Sequence, residues 1–497
     1  MNGWFGDFFR GCWALFYWNT RKTWFRLRGA HRDDCPCQSY SDSGHALDSH
    51  CEAVQHWRQP ARFRRVCPLL TETAQGWRCG VDAESVRPFW GRAALQVLAI
   101  GVVLYLVGSG LVYGFLRAAR YETSYLAVAW PPRWGELRAS QEKLYALRAQ
   151  QALQGGHFQE ALLSLEMVTQ LNPGNYAAGL AQAELNQVAG RPNVTDHIYG
   201  RLMHDVPGQR LQTARIWYRN LLARAAYAQI KDLAPVMLDE DQAERTAWLH
   251  ALLFACRQTA DPGYLGSVLA QHPHLPAWCG DVLGVEQFLL QKKLDQALPW
   301  LTRLQRQLVA GYIPYFQIDR LLRHGEVEQA DNLLRLYRGG QLQPDEAAFF
   351  RLRVYHAKGL NKLAGPEFLG LLHYEMGPRL AAQCCAYLVS HPDPVLFSRY
   401  LERFNEASLP VDANTVQVYQ ATYLAAILSG DASHAEQLAT RIGQFTGSDS
   451  RVLRGLGELL RGRTPDSRLP RILPLVALPT EVTYAILELP VAPRPAN

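Results

Sequence analysis

The sequence predicts an all-α protein in which one transmembrane helix separates a small cysteine-rich module from a long array of helix pairs. Three observations support this prediction. A helix-pair pattern recurs every 32 to 38 residues within 142–463, residues 93–116 carry no charge, and six of the ten cysteines precede residue 80. Hydrophobic residues make up 48% of the 497-residue chain, which is enough to form a buried core.

Residues 1–30 combine aromatic side chains at helical spacing with a basic cluster of Arg21, Lys22, Arg26 and Arg28. The apolar residues precede the basic ones, which is the reverse of the order in a secretory signal. The pattern is typical of an amphipathic helix at a membrane surface, where Trp lies among the headgroups and Arg contacts lipid phosphates. The alternative is a helix that packs on its own small domain.

Residues 31–90 form a polar module in which cysteines and histidines are interspersed. Structural zinc takes four nitrogen or sulfur ligands. The cluster therefore predicts a zinc site, with candidate ligands Cys35, Cys37, Cys51, Cys67 and Cys79. The module lacks the Cys-x-x-Cys pair that usually supplies two ligands. The alternative is a set of reduced, partly buried thiols.

Residues 93–116 are predicted to form the transmembrane helix, because 24 uncharged residues can span a hydrocarbon core of about 30 Å. Arginines flank the stretch on both sides. Gly110 and Gly114 form a GxxxG pattern that would let two copies of the helix approach closely, so a homodimer is one predicted arrangement.

The first 92 residues hold 13 basic groups and most of the thiols, which suits a reducing compartment. We therefore expect the N-terminus in the cytoplasm and the helix array on the other side of the membrane. Arg strongly outnumbers Lys, as in GC-rich genomes, and we expect a bacterial protein. The basic residues form no single stripe, so we expect no binding of nucleic acid.

Residues 122–141 are a short connector, and the array begins at 142. Its clearest unit runs from Gly156-His157-Phe158 to Ala161 and ends at Pro173, which stops the second helix of the pair. A small residue or turn signal recurs at the position of Ala161 in eight further units, which makes about nine in all: Thr195, Ile230, Leu265, Ala297, Ala330, Gly365, Phe397 and Ala435.

This pattern resembles the tetratricopeptide repeat (TPR), most strongly in the units around Ala161, Ala297, Ala330 and Ala435. The resemblance implies a helical-hairpin solenoid of about nine units whose inner groove binds peptides or protein surfaces. It implies no catalytic residues. In the first unit, the groove position falls on Tyr145, Arg148 and Gln151.

Residues 464–497 form a tail with seven prolines. Its β-branched stretches, 471–473 and 480–488, predict short strands. The tail would either cap the last apolar face of the array or form an extended segment.

Within the array, His272, His274, Cys256 and Cys279 suggest at most a metal site or a Cys256–Cys279 disulfide. Loop histidines and core thiols are the favoured interpretation.

The sequence contains no nucleotide-binding glycine run, hydrolase elbow or metalloprotease motif, so we do not expect an enzyme. It predicts a membrane-anchored scaffold for protein–protein interaction in envelope biogenesis or secretion. The general plan is similar to that of bacterial lipopolysaccharide-assembly TPR proteins. The alternative function is a metal- or redox-responsive membrane adaptor that uses the N-terminal cysteine cluster.

Overall fold

The computed structural model describes two compact units, Met1–Ser140 and Gln141–Asn497. The described residues are 13, 16, 20, 38–40, 47–49, 70–74, 76–79, 89–337, 341–410, 412–447, 450–462 and 468–489. This part of the chain is predominantly helical, as predicted, with 23 α-helices in a repeated arrangement.

In the described part of the first unit, two short antiparallel hairpins precede the helix that begins at Phe89. Strands β1 (Gln38–Tyr40) and β2 (Leu47–Ser49) form one, and strands β3 (Leu70–Thr73) and β4 (Gly76–Cys79) form the other. Nearer the N-terminus, Trp13 and Phe16 are helical and their rings lie 6.0 Å apart. Thr20 is helical as well, and its Oγ1 donates to the Phe16 carbonyl at 2.7 Å. The other residues of the predicted surface segment 1–30 lie outside the described residues.

Helix α1 (Phe89–Ala118) contains the predicted transmembrane stretch. Its segment Gln96–Ala118 is long and apolar enough to cross a membrane, and nearly all of that segment is exposed. The chain then turns back on itself. Helix α2 (Tyr125–Ala129) lies against α1, with Tyr105 Oη donating to the Ala129 carbonyl at 2.9 Å and Tyr125 Oη donating to the Leu106 carbonyl at 3.1 Å.

Within the described residues from 134 onward, the helices form nine consecutive hairpins. Their first and second helices are α3 (Trp134–Gln154) and α4 (Phe158–Leu171), α5 (Tyr176–Val188) and α6 (Pro192–Asp205), α7 (Arg210–Ala223) and α8 (Tyr227–Glu240), α9 (Arg245–Thr259) and α10 (Pro262–Gln271), α11 (Ala277–Leu290) and α12 (Leu294–Leu301), α13 (Tyr312–Arg323) and α14 (Val327–Tyr337), α15 (Pro344–Ala357) and α16 (Asn361–Leu371), α17 (Pro378–Ser390) and α18 (Pro394–Glu406), and α19 (Ala413–Leu428) and α20 (Ala432–Thr446).

The turn inside a hairpin has a recurrent backbone geometry. In eight of the nine hairpins, the residue two positions before the second helix has positive φ. Glycine occupies this position five times, as at Gly325 (φ 82°), and tolerates it because it has no Cβ. Ala225, Ala260 and Lys292 adopt the same left-handed conformation, which is unfavourable for residues with a side chain. The eighth hairpin has Pro392 there instead.

The fourth residue of each second helix is buried in all nine hairpins. Eight of these positions are the ones that the sequence period predicts. In the seventh hairpin the buried residue is Ala364, whereas the predicted Gly365 is partly exposed. The reason is that α16 begins at Asn361, one residue earlier than the predicted spacing requires.

The array is followed by α21 (Arg451–Arg461), α22 (Leu469–Ile472) and α23 (Thr480–Leu487). The predicted strands in 471–473 and 480–488 are therefore wrong. Val482 and Ile486 are four residues apart and both fully buried, so a helix places them on one face. Packing of that face overrides the β-propensity of the β-branched residues.

Candidate functional site

The principal candidate site is the surface that holds helix α23. We call it the α23-binding surface and define it by Tyr218 on α7, His250 and Phe254 on α9, Arg323 on α13, and helix α17. All of these belong to the first helices of hairpins three, four, six and eight. The segment after the array therefore lies across several hairpins and does not cap only the last one.

Tyr484 is the central contact of α23 with this surface. Its hydroxyl forms a hydrogen bond with that of Tyr218, and its ring centroid lies 4.6 Å from that of His250 and 4.7 Å from that of Phe254. Both ring contacts have the edge-to-face geometry that aromatic pairs prefer. One side chain of α23 therefore joins the third and fourth hairpins.

The opposite side of α23 is apolar. Val482 and Ile486 belong to the same buried cluster as Cys384 and Leu388 of α17, and α23 packs closely along that helix. Residues two positions apart, such as Val482 and Tyr484, point to nearly opposite sides of a helix. Helix α23 is thus held on two sides, by α17 through its aliphatic residues and by α7 and α9 through Tyr484.

An ion pair fixes the C-terminal end of α23. Arg323 Nη2 on α13 donates to Glu488 Oε1 at 2.5 Å, just after the helix ends. The Arg323 side chain is 44% exposed and that of Glu488 is 34% exposed. Because both charges remain partly hydrated, this ion pair positions the helix more than it stabilises the fold.

Behind Arg323 lies a buried cluster of charges. Arg257 donates to both carboxylate oxygens of Glu286, at 2.6 and 3.0 Å, and Arg320 Nη1 reaches Glu286 Oε1 at 3.5 Å. Asp319 accepts hydrogen bonds from Arg320, Arg353 and, at 3.2 Å, Arg323. The cluster therefore holds four guanidinium groups and two carboxylates. Glu488 of the tail supplies a third carboxylate at its edge.

These contacts determine the protonation of the cluster. Burial alone would raise the pKa of Glu286, but Arg257 and Arg320 outweigh it, and the pKa is lowered. The pKa of Asp319 is lowered well below its usual range in the same way, with burial opposed by Arg320 and Arg353. Both carboxylates are therefore ionised at neutral pH, as bidentate arginine pairing requires.

The environment of His250 favours its neutral form, whereas that of the two carboxylates favours the charged form. Burial lowers its pKa to about 3, and the positive charge of nearby Arg257 acts in the same direction. The neutral ring lies among Tyr312, Tyr315 and Tyr484, with centroids 6.3, 5.7 and 4.6 Å away. His250 therefore serves as a neutral aromatic element at neutral pH. The hydroxyl of Tyr312 is buried and has no hydrogen-bond partner within the described residues.

Comparison with known proteins gives no match to any family model, curated protein or solved structure.

The predicted groove residues of the first hairpin lie on α3, apart from the α23-binding surface along the chain. Tyr145 is partly buried, Arg148 lies 5.6 Å above its ring, and Gln151 is exposed. On the same helix, the Glu142 carboxylate accepts hydrogen bonds from the side-chain amides of Asn172 and Asn175 at 2.6 to 3.0 Å.

Most of the predicted zinc ligands cannot be compared with the described structure. Cys35, Cys37, Cys51 and Cys67 lie outside the described residues, and Cys79 is described only as the last residue of β4. Within the described part of the chain, no three His, Cys, Asp or Glu side chains are grouped to hold a metal ion.

The thiols of the array are buried and free. Cys256 and Cys279 form no disulfide, and burial raises the pKa of each thiol to about 12. Cys384 and Cys385 on α17 are also free and buried. His272 is engaged by Asp239, whose Oδ2 lies 2.5 Å from His272 Nδ1.

The charge cluster was not predicted from the sequence. Its residues nevertheless stand out there, because they are charged side chains within otherwise apolar helices. Glu286 lies on the buried face of the helix Ala277–Leu290, whereas Asp281 of the same helix is exposed, and Asp319 and Arg320 interrupt the apolar stretch of α13. Charged side chains on a buried helix face require partners of opposite charge. Matching such residues between neighbouring hairpins would have brought Arg257 and Glu286 together.

Proposed function

We propose that this protein is a membrane-anchored scaffold for protein–protein interaction, built from a TPR-like helical solenoid on a single transmembrane helix. The observation that carries the proposal is the α23-binding surface, where the first helices of four hairpins hold a short helix through apolar, aromatic and ionic contacts. Amphipathic helices bind to partner proteins through the same types of contact.

Helix α1 supplies the proposed anchor. Its exposed apolar side chains would face lipid, which avoids leaving a large apolar surface in water. A side chain at Gly110 or Gly114 would meet no atom within 4 Å, so this face of α1 is open to a second copy in a homodimer. In the proposed orientation, the N-terminus is cytoplasmic and the array lies outside the cytoplasm of a bacterial cell.

Protein partners would bind along the first helices of the hairpins, including the exposed side chains of Arg148 and Gln151 next to Tyr145. A photo-crosslinking residue at Gln151 tests this in native membranes. Gln159, which is also exposed but lies on the second helix of the hairpin, is the matched control. We expect protein adducts from position 151 and none from 159. Absence of adducts at both positions would contradict the scaffold proposal.

Membrane orientation is tested separately, with an export-dependent reporter fused after residue 460 or after residue 85. We expect an active reporter only at 460. Activity only at 85 would reverse the proposed orientation.

A further inference from the structure

We propose that α23 is an internal competitor, and that the α23-binding surface binds a short amphipathic helix of a partner protein with an aromatic residue and an acid four residues later. This inference rests on the proposed scaffold function and specifies its ligand. It starts from Tyr484 and Glu488, which have that spacing and make the directional contacts of α23.

Helix α23 is suited to release because it is short and separate from the hairpins. It has eight residues, and an isolated helix of that length is marginal in water. Pro479 precedes it, and no hairpin uses it as its own first or second helix. Its helical state therefore depends on the surface that holds it. Displacement would leave the pairing within each hairpin intact.

The charges of the surface favour an acidic ligand. Without Glu488, the described carboxylates that face the four guanidinium groups of Arg257, Arg320, Arg323 and Arg353 are the two of Glu286 and Asp319. Arg323 is the most exposed of the four. A carboxylate on an incoming helix would replace Glu488 there with a charge-assisted hydrogen bond.

The shape of the surface limits the size of the ligand. Helix α23 contacts α17 on one side and the aromatic residues of α7 and α9 on the other. Val482 and Ile486 are only 0% and 2% exposed. A ligand must therefore present aliphatic residues four apart on one side and the aromatic residue on the other, as the pattern Val-Thr-Tyr-Ala-Ile-Leu-Glu does in this chain.

Because α23 belongs to the same chain, it competes at an effective concentration that no free ligand easily reaches, on the order of millimolar for a flexible tether. A free helix should therefore bind the intact protein weakly. It should bind more tightly once the contacts of α23 are weakened.

The test measures binding of a labelled peptide with the sequence of residues 478–489 to the full-length protein in nanodiscs. Glu488→Arg places like charges together at Arg323 and should raise peptide affinity about tenfold. Glu481→Arg makes the same charge change at an exposed position of α23 and should leave affinity as in the wild type. A peptide carrying Glu488→Arg should bind the Glu488→Arg protein about tenfold more weakly than the native peptide.

Equal affinity of the wild-type and Glu488→Arg proteins for the peptide would overturn the inference. So would the absence of binding to a folded protein carrying both Tyr484→Ala and Glu488→Arg. Hydrogen exchange provides a second measurement: amides of 480–487 should exchange faster in Glu488→Arg while those of α17 stay protected. Loss of protection in both helices would show that α23 is a structural element and not a competitor. Crosslinking from Gln151 that persists in that case would leave the scaffold proposal standing.

Discussion

Arg257 and Glu286 form a two-point ion pair between the first helices of the fourth and fifth hairpins, with nitrogen–oxygen distances of 2.6 and 3.0 Å. The side chain of Glu286 is only 1% exposed and that of Arg257 is 13% exposed. In such a pair, each partner offsets the cost of burying the other charge. The pair therefore joins two hairpins, and replacing either residue alone should lower the free energy of unfolding.

Removing one partner should destabilise the array strongly. We expect Glu286→Gln to lower the free energy of unfolding by about 3 kcal/mol or more, because Arg257 would stay buried without its counter-charge. Urea denaturation followed by circular dichroism measures the change. Glu402→Gln is the matched control, since its pair with Arg399 is exposed and should contribute less than about 1 kcal/mol. Similar losses in both variants would contradict the role of burial.

His250, whose pKa is lowered in the folded protein, should make stability depend on pH. Its pKa of about 3 in the folded state lies below the usual value of about 6.5, so the unfolded chain binds a proton that the folded chain does not. Stability should therefore fall as the pH is lowered from about 6.5 toward 3. This one residue contributes up to about 1.4 kcal/mol per pH unit.

The measurement compares unfolding free energies at several pH values for the wild type and His250→Phe. We expect a shallower loss between pH 6 and 4 in the variant. His204→Phe is the control, because the His204 side chain is 90% exposed. The carboxylates of Glu286 and Asp319, with lowered pKa values, add a loss of stability below about pH 4.5 in all variants. Equal slopes for wild type and His250→Phe would refute the assignment.

The hairpin turns offer a paired test of backbone strain. Ala260 has φ 49° in the position that glycine occupies in other hairpins, so Ala260→Gly should stabilise the protein by up to about 1 kcal/mol. Gly325→Ala should destabilise it by about 1 kcal/mol. A Cβ at Gly325 would meet no atom within 4 Å, so the cost comes from its φ of 82° alone. Thermal unfolding of the two variants should shift in opposite directions.

Gly179 is required for close packing of α5 against α6. A Cβ at this position would lie 2.6 Å from Leu202 Cδ2, and Leu202 is only 1% exposed and has little room to move. We expect Gly179→Ala to lower the free energy of unfolding by about 1 to 3 kcal/mol. Gly200→Ala on α6 meets no atom within 4 Å and should be neutral or stabilising. A neutral result for Gly179→Ala would mean that the two helices separate easily.

The repeat period was predictable because it is a local property of the chain. Gly156, Phe158 and Ala161 mark a turn, a helix start and a buried position within six residues, and the structure repeats this geometry in every hairpin but the eighth, which lacks the left-handed turn residue. The conformation of α23 was not predictable in the same way. Its β-branched residues favour strands, and the helix depends on contacts with residues far away in the sequence.

The candidate site was missed for a related reason. Tyr145, Arg148 and Gln151 follow from the TPR-like pattern of one hairpin, whereas Tyr218, His250 and Arg323 come from three different hairpins. Only the stacking of the helices brings those three residues to the same short segment. The repeat period and the TPR-like motif locate a residue within its own hairpin. They do not specify which distant segment of the chain packs on that residue.

The hydrogen bond between Tyr218 and Tyr484 joins residues 266 positions apart. During synthesis the N-terminal hairpins emerge and fold first, since their contacts are local, and α23 leaves the ribosome after every hairpin that it contacts. A growing chain therefore carries this aromatic and cationic surface uncovered. A chaperone or export factor that recognises it would distinguish unfinished chains from finished ones. Closure of Tyr484 onto Tyr218 marks a chain in which hairpins three to eight have already folded.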